Sequence, residues 1–513
     1  MIKICKENKE SVLRKIYTGE FDNVAASVSN LVDDIILSMH KSGILASLAN
    51  KLPDKRAHNT TIPFELVMAL SVAAKMKTNT SICDVPYAIT DHRVLAELGY
   101  NIINTEKDLK AGMMTESSLR FLFGKYEAKE LFKSYNEVVQ EQIMPKLNYK
   151  PNIHILDCTE LSVNLDNNNY EQSAVTINKY GDADRGYKLA SLRGIVEDTG
   201  IIEEIEFGAM NVHDLELSRE MLKTTKVFNP GDILIEDRGF LDRDLINYLK
   251  SERQIDVYVP LKSNMNAYQI AVQVAKEENK WEKHPSREKQ KIAFVPNLKN
   301  YWWSDVAQSR KKYNENDDME INSCIVWDTE TDSYFVFITT DTTVSAKQII
   351  TTYELRPEIE EDYRQLKDFW KLQNFKSTKI NMIALHIIMV LFGYLFFQLY
   401  ILMPEGEQYS HKSLPVILNN YQPVAMPYLV FYADDEFGIF SISEIIKLYS
   451  SCSVEAQRRL LQVLKWWRII IIYKLFFVLL FVIFSPYLSN SANSPGFGSR
   501  NSWSFISLYN INV

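Results

Sequence analysis

Two short apolar runs in the middle of the 513-residue chain each end in a carboxylate: Ile153–Asp157 (IHILD) and Asp232–Asp237 (DILIED). A continuous apolar run of this length, bounded by polar residues, reads as a strand buried on both faces. Such a strand fixes its backbone inside the core while its last side chain reaches the open edge. Neighbouring strands lie about 4.8 Å apart, so aspartates at two adjacent strand ends can share a cation. The centre of the chain is thereby constrained to a sheet that brings positions 157 and 237 together.

The segments around these runs fit such a sheet. Leu189–Glu197 and Ile201–Phe207 are strand-like and are separated by Asp198-Thr199-Gly200, a hairpin signal. A helix is predicted over Leu215–Thr225 and another over Leu241–Lys250, with a further strand at Asp256–Leu261 (DVYVPL). Three strands in a meander, then helix, strand, helix and strand, is the element order of a ribonuclease-H-like sheet. The fold class expected is therefore α/β: a ribonuclease-H-like mixed sheet with a β-rich insertion, plus helical N-terminal and C-terminal regions.

The flanking regions differ in character. Residues 1–150 read as helical, with Phe64–Lys77 suited to a buried helix. Thr115–Tyr126, which opens on an N-cap cluster and carries Arg120 and Lys125, reads as a packing helix or a DNA-reading one. Residues 151–261 form the first part of the core. Residues 262–341, with β-forming stretches at Ile292–Val295, Ser323–Trp327 and Tyr334–Thr339, read as a largely β insertion. Residues 342–402 return to the core through the strongly helical Ser345–Gln373 and the apolar Ile380–Tyr400, which contains His386 and reads as core rather than membrane. Residues 403–465 are expected to be helical, and 466–513 to be an apolar and disordered tail. From Ala456 to Val513 there is no Asp or Glu, and Ile469–Phe484 is apolar except for Lys474. That run is slightly short of the roughly 17–25 residues of a spanning helix. It reads as a membrane anchor or as a non-native extension.

Charge and cysteine usage exclude some classes. The five cysteines, Cys5, Cys83, Cys158, Cys324 and Cys452, form no CxxC pair, against a zinc site or disulfide framework and in keeping with a reducing cytosol. The N-terminus, MIKICKENKE, lacks the apolar core of a signal peptide. A net charge of −8 argues against a simple DNA-coating protein. The stretch Lys276–Lys312 has ten Lys/Arg against five Asp/Glu, a local balance of +5, which by itself reads as a solvated surface.

A third carboxylate is offered by Tyr353–Lys367 (YELRPEIEEDYRQLK). On an ideal helix Tyr353, Arg356, Glu360 and Lys367 fall within an arc of about 60°. Ile359, Tyr363, Leu366 and Trp370 form the adjoining apolar flank. Glu358, Glu361 and Asp362 lie off that arc and read as surface charges. Pro357 removes a donor and clashes with the carbonyl of Tyr353, so the helix is expected to start afresh there, displacing Tyr353 and Arg356 but not Glu360 and Lys367. Cutting a phosphodiester needs an activated oxygen nucleophile, charge stabilisation and help for the leaving oxygen, which two Mg2+ ions roughly 3.5–4 Å apart can supply. Mg2+ takes oxygen ligands and keeps waters, so a few carboxylates suffice. A carboxylate flanked by two cations and a phenol suits a phosphate-plus-metal site. Each piece alone is equally a loop cap or a solvated helix face; the ordered combination is much more specific. Asp214 is the main rival for the second aspartate, but follows no apolar strand and reads as a helix cap. His213 and His386 read as structural. Lys262, after the fifth strand, is placed to touch a backbone phosphate.

The spacing Y-x2-R-x3-E-x6-K, matched by Tyr353, Arg356, Glu360 and Lys367, resembles the signature of the insertion-sequence transposases of the fourth family, within the DDE transposases. Leu156-Asp157-Cys158-Thr159 and Ile235-Glu236-Asp237-Arg238-Gly239-Phe240 resemble its two aspartate strands. Gly186-Tyr187-Lys188-Leu189 and Asn211-Val212-His213-Asp214 resemble its accessory segments. The resemblance covers roughly Ile153 to Tyr400; many relatives carry Trp where this chain has Pro357. It implies a ribonuclease-H-like catalytic domain with a β-rich insertion before the glutamate. It implies Mg2+-dependent cleavage at mobile-element ends and strand transfer of the freed 3′-OH into target DNA. Asp157, Asp237 and Glu360 would be catalytic metal ligands for two Mg2+ ions, with Mn2+ able to substitute. Arg356 and Lys367 would hold DNA phosphates and Tyr353 the terminal nucleotide backbone. Trp302, Trp303 and Trp327 are candidates for stacking on an extruded base, with packing inside the insertion as the equal alternative. The partners implied are double-stranded DNA, as terminal inverted repeats and as target, and a second copy in a dimer on DNA. The location implied is the bacterial cytoplasm at the nucleoid, not a membrane. The competing readings are a catalytically impaired DNA-binding relative and a metal-dependent DNA nuclease.

Overall fold

The computed structural model describes residues 2–463 apart from 4–5, 28–29, 57–61, 79–80, 100, 103–114, 178–179, 197–198, 300–318, 410–415 and 418–427. Trp302, Trp303 and the tail from 466 onward, including Ile469–Phe484, lie outside the described residues.

The centre of the fold is a mixed sheet of ten strands: β1 (Ile153–Val163), β2 (Ala174–Ile177), β3 (Ala183–Val196), β4 (Thr199–Ala209), β5 (Ile233–Glu236), β6 (Asp256–Pro260), β7 (Glu282–Lys283), β8 (Gln290–Lys299), β9 (Glu320–Asp328) and β10 (Ser333–Thr339). Its order is β7-β8-β9-β10-β6-β5-β1-β3-β2, with β4 also paired to β3. The pairs β1–β5 and β5–β6 are parallel, and the rest are antiparallel. Parallel neighbours require a crossover, and helices α2 (Asp214–Thr224) and α3 (Arg243–Arg253) supply it before β5 and before β6.

The β1–β5 register decides where the aspartates meet. It runs from Ile153↔Ile233 to Leu156↔Glu236. His154, fully buried, pins the two strands near their start: its Nδ1 lies 2.8 Å from Glu203 of β4 and its Nε2 3.3 Å from Asp232, just before β5. Burial pulls the imidazole down, but hydrogen bonds and charge from Asp232 and Glu203 outweigh it and raise its pKa to about 9. On the other side β3 needs close approach: a Cβ on Gly186 would come within 2.1 Å of the Leu161 carbonyl oxygen.

Two regions depart from expectation. Residues 262–341 are not purely β, since helix α4 (Asn266–Glu278) opens the segment. Its strands also extend the core sheet, because β10 pairs in register with β6. Residues 403–465 carry a hairpin, Tyr428–Ala433 and Glu436–Ser441, besides helices. That hairpin pairs with Asn23–Ser27 and Lys6–Glu7, so N-terminal and C-terminal residues share a small four-stranded sheet that a helical reading of either end missed. The continuous apolar run YLVFYA is buried on both faces and pairs with a strand some four hundred positions away, which local periodicity cannot register.

Helix α1 (Phe64–Met76) is almost wholly buried, matching the run that announced it. It packs against α7 (Ile380–Ile401), as does the helix Ala128–Val138. Among the described residues α7 alone is long and apolar enough to cross a membrane, and most of it is buried inside the protein.

Candidate active site

Asp237 stands where β5 ends, with extended backbone (φ −79°, ψ 161°) leading into the turn Arg238–Phe240. Asp157 was expected at a strand end but lies inside β1, which continues to Val163. Both statements describe one place in the sheet. The last β1–β5 pair is Leu156↔Glu236, so Asp157 and Asp237 follow side by side where β5 leaves and that flank of β1 becomes open. On its other flank β1 stays paired with β3 up to Val163↔Arg185, which holds Asp157 rigidly.

The third acid arrives on a broken helix. Helix α5 (Ala346–Tyr353) stops at Tyr353, and α6 (Pro357–Asp368) begins at Pro357. This is the restart that the proline's missing donor demands. Tyr363 in α6 donates its hydroxyl to the Asp157 carbonyl oxygen at 2.8 Å, seating the helix on β1. Glu360 is then presented one turn in, about half exposed.

The three carboxylates converge on one guanidinium. Arg356 reaches Glu360 Oε1 from Nη1 at 2.6 Å, and Asp157 Oδ2 and Asp237 Oδ2 from Nη2 at 3.3 Å and 3.9 Å. Among the described residues no three His, Cys, Asp or Glu side chains are gathered tightly enough to form a ready ion-binding group. The donor set still suits a hard divalent ion, being anionic, oxygen-only and already arranged around positive charge. Burial is the main influence on Asp157 and raises its pKa to about 6. Arg356 and the Cys158 N–H oppose this, while the charges of Asp237 and Glu360 add to it.

The remaining sequence candidates are placed differently. Tyr353 is largely buried with its ring 4.7 Å from that of Phe337, and burial raises its hydroxyl pKa. It lines a groove with Phe335, Phe337, His284, Arg287 and Pro357, between the β9–β10 face and the start of α6. Lys367 is partly buried, which lowers its pKa; the charges that act on it are those of Glu160 and Asp368, not the three acids. Trp327 stacks on Tyr334, with centroids 6.1 Å apart and planes 9° apart, and donates its indole N–H to Asp332. Its ring also lies 5.2 Å from that of Trp281. Asp214 does not cap α2; His213 does, accepting the Leu215 N–H at 3.3 Å. Asp214 instead pairs with Lys188 Nζ at 2.6 Å, and that ammonium also donates to the Val212 carbonyl oxygen at 2.8 Å. Lys188 thereby ties the two accessory segments together.

Sequence reading missed the device that seats α6. Arg193, buried in β3, bonds Asp362 and Glu358, each at 2.7 Å, and Tyr394 of α7 donates to Asp362 at 2.7 Å. Asp362 is thus buried, not a surface charge, whereas Glu361 does sit exposed beside Arg364. The available signal was an arginine inside the apolar run LASLRGIV, since a charge placed there needs an acid from another element.

No curated protein matches the chain. Residues 150–396 match the family model for the transposase DDE domain. That stretch begins just before β1, ends within α7, and takes in Asp157, Asp237, Glu360 and the Arg193 network. Residues 150–396, a little under half of the chain, are therefore similar to the transposase DDE domain.

Proposed function

We propose that the chain is a transposase of the insertion-sequence fourth family, with a ribonuclease-H-like core, that cleaves mobile-element DNA ends and joins them to target DNA. The observation that carries this reading is the convergence of Asp157, Asp237 and Glu360 on one cationic centre. Strand order β4-β3-β1-β5-β6, antiparallel for the first three and parallel thereafter, supports the ribonuclease-H-like assignment.

Asp157, Asp237 and Glu360 would hold divalent metal, Mg2+ by its preference for oxygen ligands. When bound, such ions supply nucleophile activation and charge stabilisation at the scissile phosphate. Arg356, released from the acids, is within reach of an incoming phosphodiester, and its planar fork suits bidentate contact with phosphate. Tyr353 and the adjoining groove would position the DNA terminus, and Lys367 a backbone phosphate. DNA would be bound by a dimer, since two element ends are joined to one target.

The test incubates the full chain with Mg2+ and a labelled duplex carrying the element end. Joined products are expected. Cleavage without joining would instead establish a nuclease, and binding without cleavage an impaired relative.

A further inference from the structure

Two of the three acids have a visible holder. Asp157 sits in a ladder that β3 continues to Val163, and Glu360 rides on a helix seated by Arg193 and Tyr363. Asp237 is held in neither way. The β1–β5 ladder stops at Leu156↔Glu236 and the β5–β6 ladder at Tyr258↔Ile235, so Asp237 is past the last rung on both flanks. Its side chain is 38% exposed against 14% for Asp157, and Arg356 Nη2 stands 3.9 Å from it. A chain end beyond its ladder opens more readily than a paired one. A functional carboxylate must nevertheless stay within about 0.5 Å of its working position.

Helix α2 supplies the missing support by packing against the turn Arg238–Phe240 that follows Asp237. A Cβ on Gly239 would meet Asp214 Oδ2 at 3.7 Å, so the first residue of α2 stands directly against the turn. Beyond the turn, Arg219 of α2 donates from Nη2 to Asp242 Oδ2 at 2.7 Å. Asp242 Oδ1 accepts the Leu245 N–H at 2.8 Å and caps α3. The turn is thereby clamped to α2 on both sides.

Lys188 decides where that helix begins. It is buried on β3, and its ammonium donates to Asp214 Oδ1 at 2.6 Å and to the Val212 carbonyl oxygen at 2.8 Å. Two residues earlier in β3, the Gly186 carbonyl oxygen accepts the Met210 N–H at 3.2 Å. Met210, Val212 and Asp214, the approach to α2, are therefore gripped in succession by one strand. That strand is itself laddered to β1 on one flank and to β4 on the other. The place of the Asp237 turn is thus inherited from the middle of the sheet that carries Asp157.

We propose that Lys188 is a positioning residue for Asp237: through Asp214 it fixes the start of α2 against the Arg238–Phe240 turn and so sets Asp237 at its distance from Asp157. The proposal rests on the reading that these acids hold a divalent metal ion.

The test measures binding of Mn2+ to the full chain without DNA, from the loss of the free-ion signal in electron paramagnetic resonance. Lys188→Met and Asp214→Asn are each expected to weaken binding about tenfold, the usual size of the effect when a group that orients a metal ligand is removed. Tyr149→Phe removes hydrogen bonds to the Gly194 and Thr199 carbonyl oxygens, at the other end of the β3–β4 hairpin. It is expected to lower the melting temperature without changing Mn2+ affinity. Wild-type affinity in Lys188→Met or Asp214→Asn overturns the proposal. An equal loss in Tyr149→Phe also overturns it, since the effect would then be one of stability alone. Should Lys188→Met not fold, Asp214→Asn, on the exposed side of the pair, decides. A wild type that binds no Mn2+, or an Asp237→Asn variant that binds it as tightly as the wild type, overturns the metal reading itself.

Discussion

Arg356 Nη2 lies 3.3 Å from Asp157 Oδ2, so a side chain expected to hold DNA is bonded to a residue expected to hold metal. The same guanidinium is shared with Asp237 and Glu360. It keeps three neighbouring acids from repelling one another before a divalent ion arrives.

Arg356→Gln should therefore lower the stability of the metal-free protein by about 1–3 kcal/mol, the usual cost of stripping a partner from a part-buried acceptor. Mg2+ should then raise the melting temperature of the variant more than that of the wild type. Thermal unfolding with and without Mg2+ checks this, and equal shifts in the two proteins would remove Arg356 from competition with the ion.

Asp157→Asn, Asp237→Asn and Glu360→Gln should each reduce cleavage by about 10^3-fold or more while leaving DNA-end binding mostly intact, because each removes charge needed only at the scissile phosphate. Cleavage assays paired with gel-shift binding measure both quantities. A variant that cuts at the wild-type rate takes its residue out of the site.

Glu236 gives a pH signature. It is fully buried beside Asp237, neither carboxyl oxygen has a partner among the described residues, and burial, helped by the charge of Asp242, raises its pKa to about 8. The folded state holds this proton more tightly than the unfolded chain, whose carboxyl ionises near its ordinary value of 4.5. Between those values the unfolded state binds fewer protons, so this group's contribution to stability falls as pH rises from about 4.5 to about 8 and levels off above. Glu236→Gln should flatten that part of the profile and be relatively more stable at pH 9. Urea unfolding at a series of pH values reads the slope, and an unchanged profile would falsify the assignment.

Arg193→Met should destabilise the fold by about 3 kcal/mol or more, since Asp362 would be left as an uncompensated buried charge. Cleavage should fall further than the folded fraction alone explains, because Glu358 and Asp362 seat the helix that carries Glu360. Asp362→Asn combined with Arg193→Met should recover part of the stability, which equilibrium denaturation would show. No recovery would mean that the pair is not coupled.

Much of the site was legible because its signals are local. The run DILIED announces β5 and Asp237 by continuous apolarity, and Pro357 announces a helix start by its chemistry. Thr115 was readable as an N-cap for the same reason, and its side chain accepts the Ser118 N–H. The misreadings concern residues whose neighbours come from far along the chain. Asp362 seemed exposed on its own helix but faces Arg193 from β3 and Tyr394 from α7. Asp157 seemed to end a strand because the apolar run IHILD ends there, while pairing with β3 carries β1 six residues further.

The chain by itself determined which residues could form buried strands, where the helices begin, and that two aspartates and one glutamate recur on such elements. Propensity, apolar runs and capping act over a few residues, so they survive in a linear reading. Only the tertiary structure decided that β1 and β5 run parallel in a register that sets Asp157 beside Asp237, that Arg356 gathers all three acids, and that Arg193 and Tyr394 hold Asp362. Those relations depend on sheet register and on helices docking across long sequence separations. Their energies come from desolvation and charge pairing, which exist only once distant segments exclude water from one another.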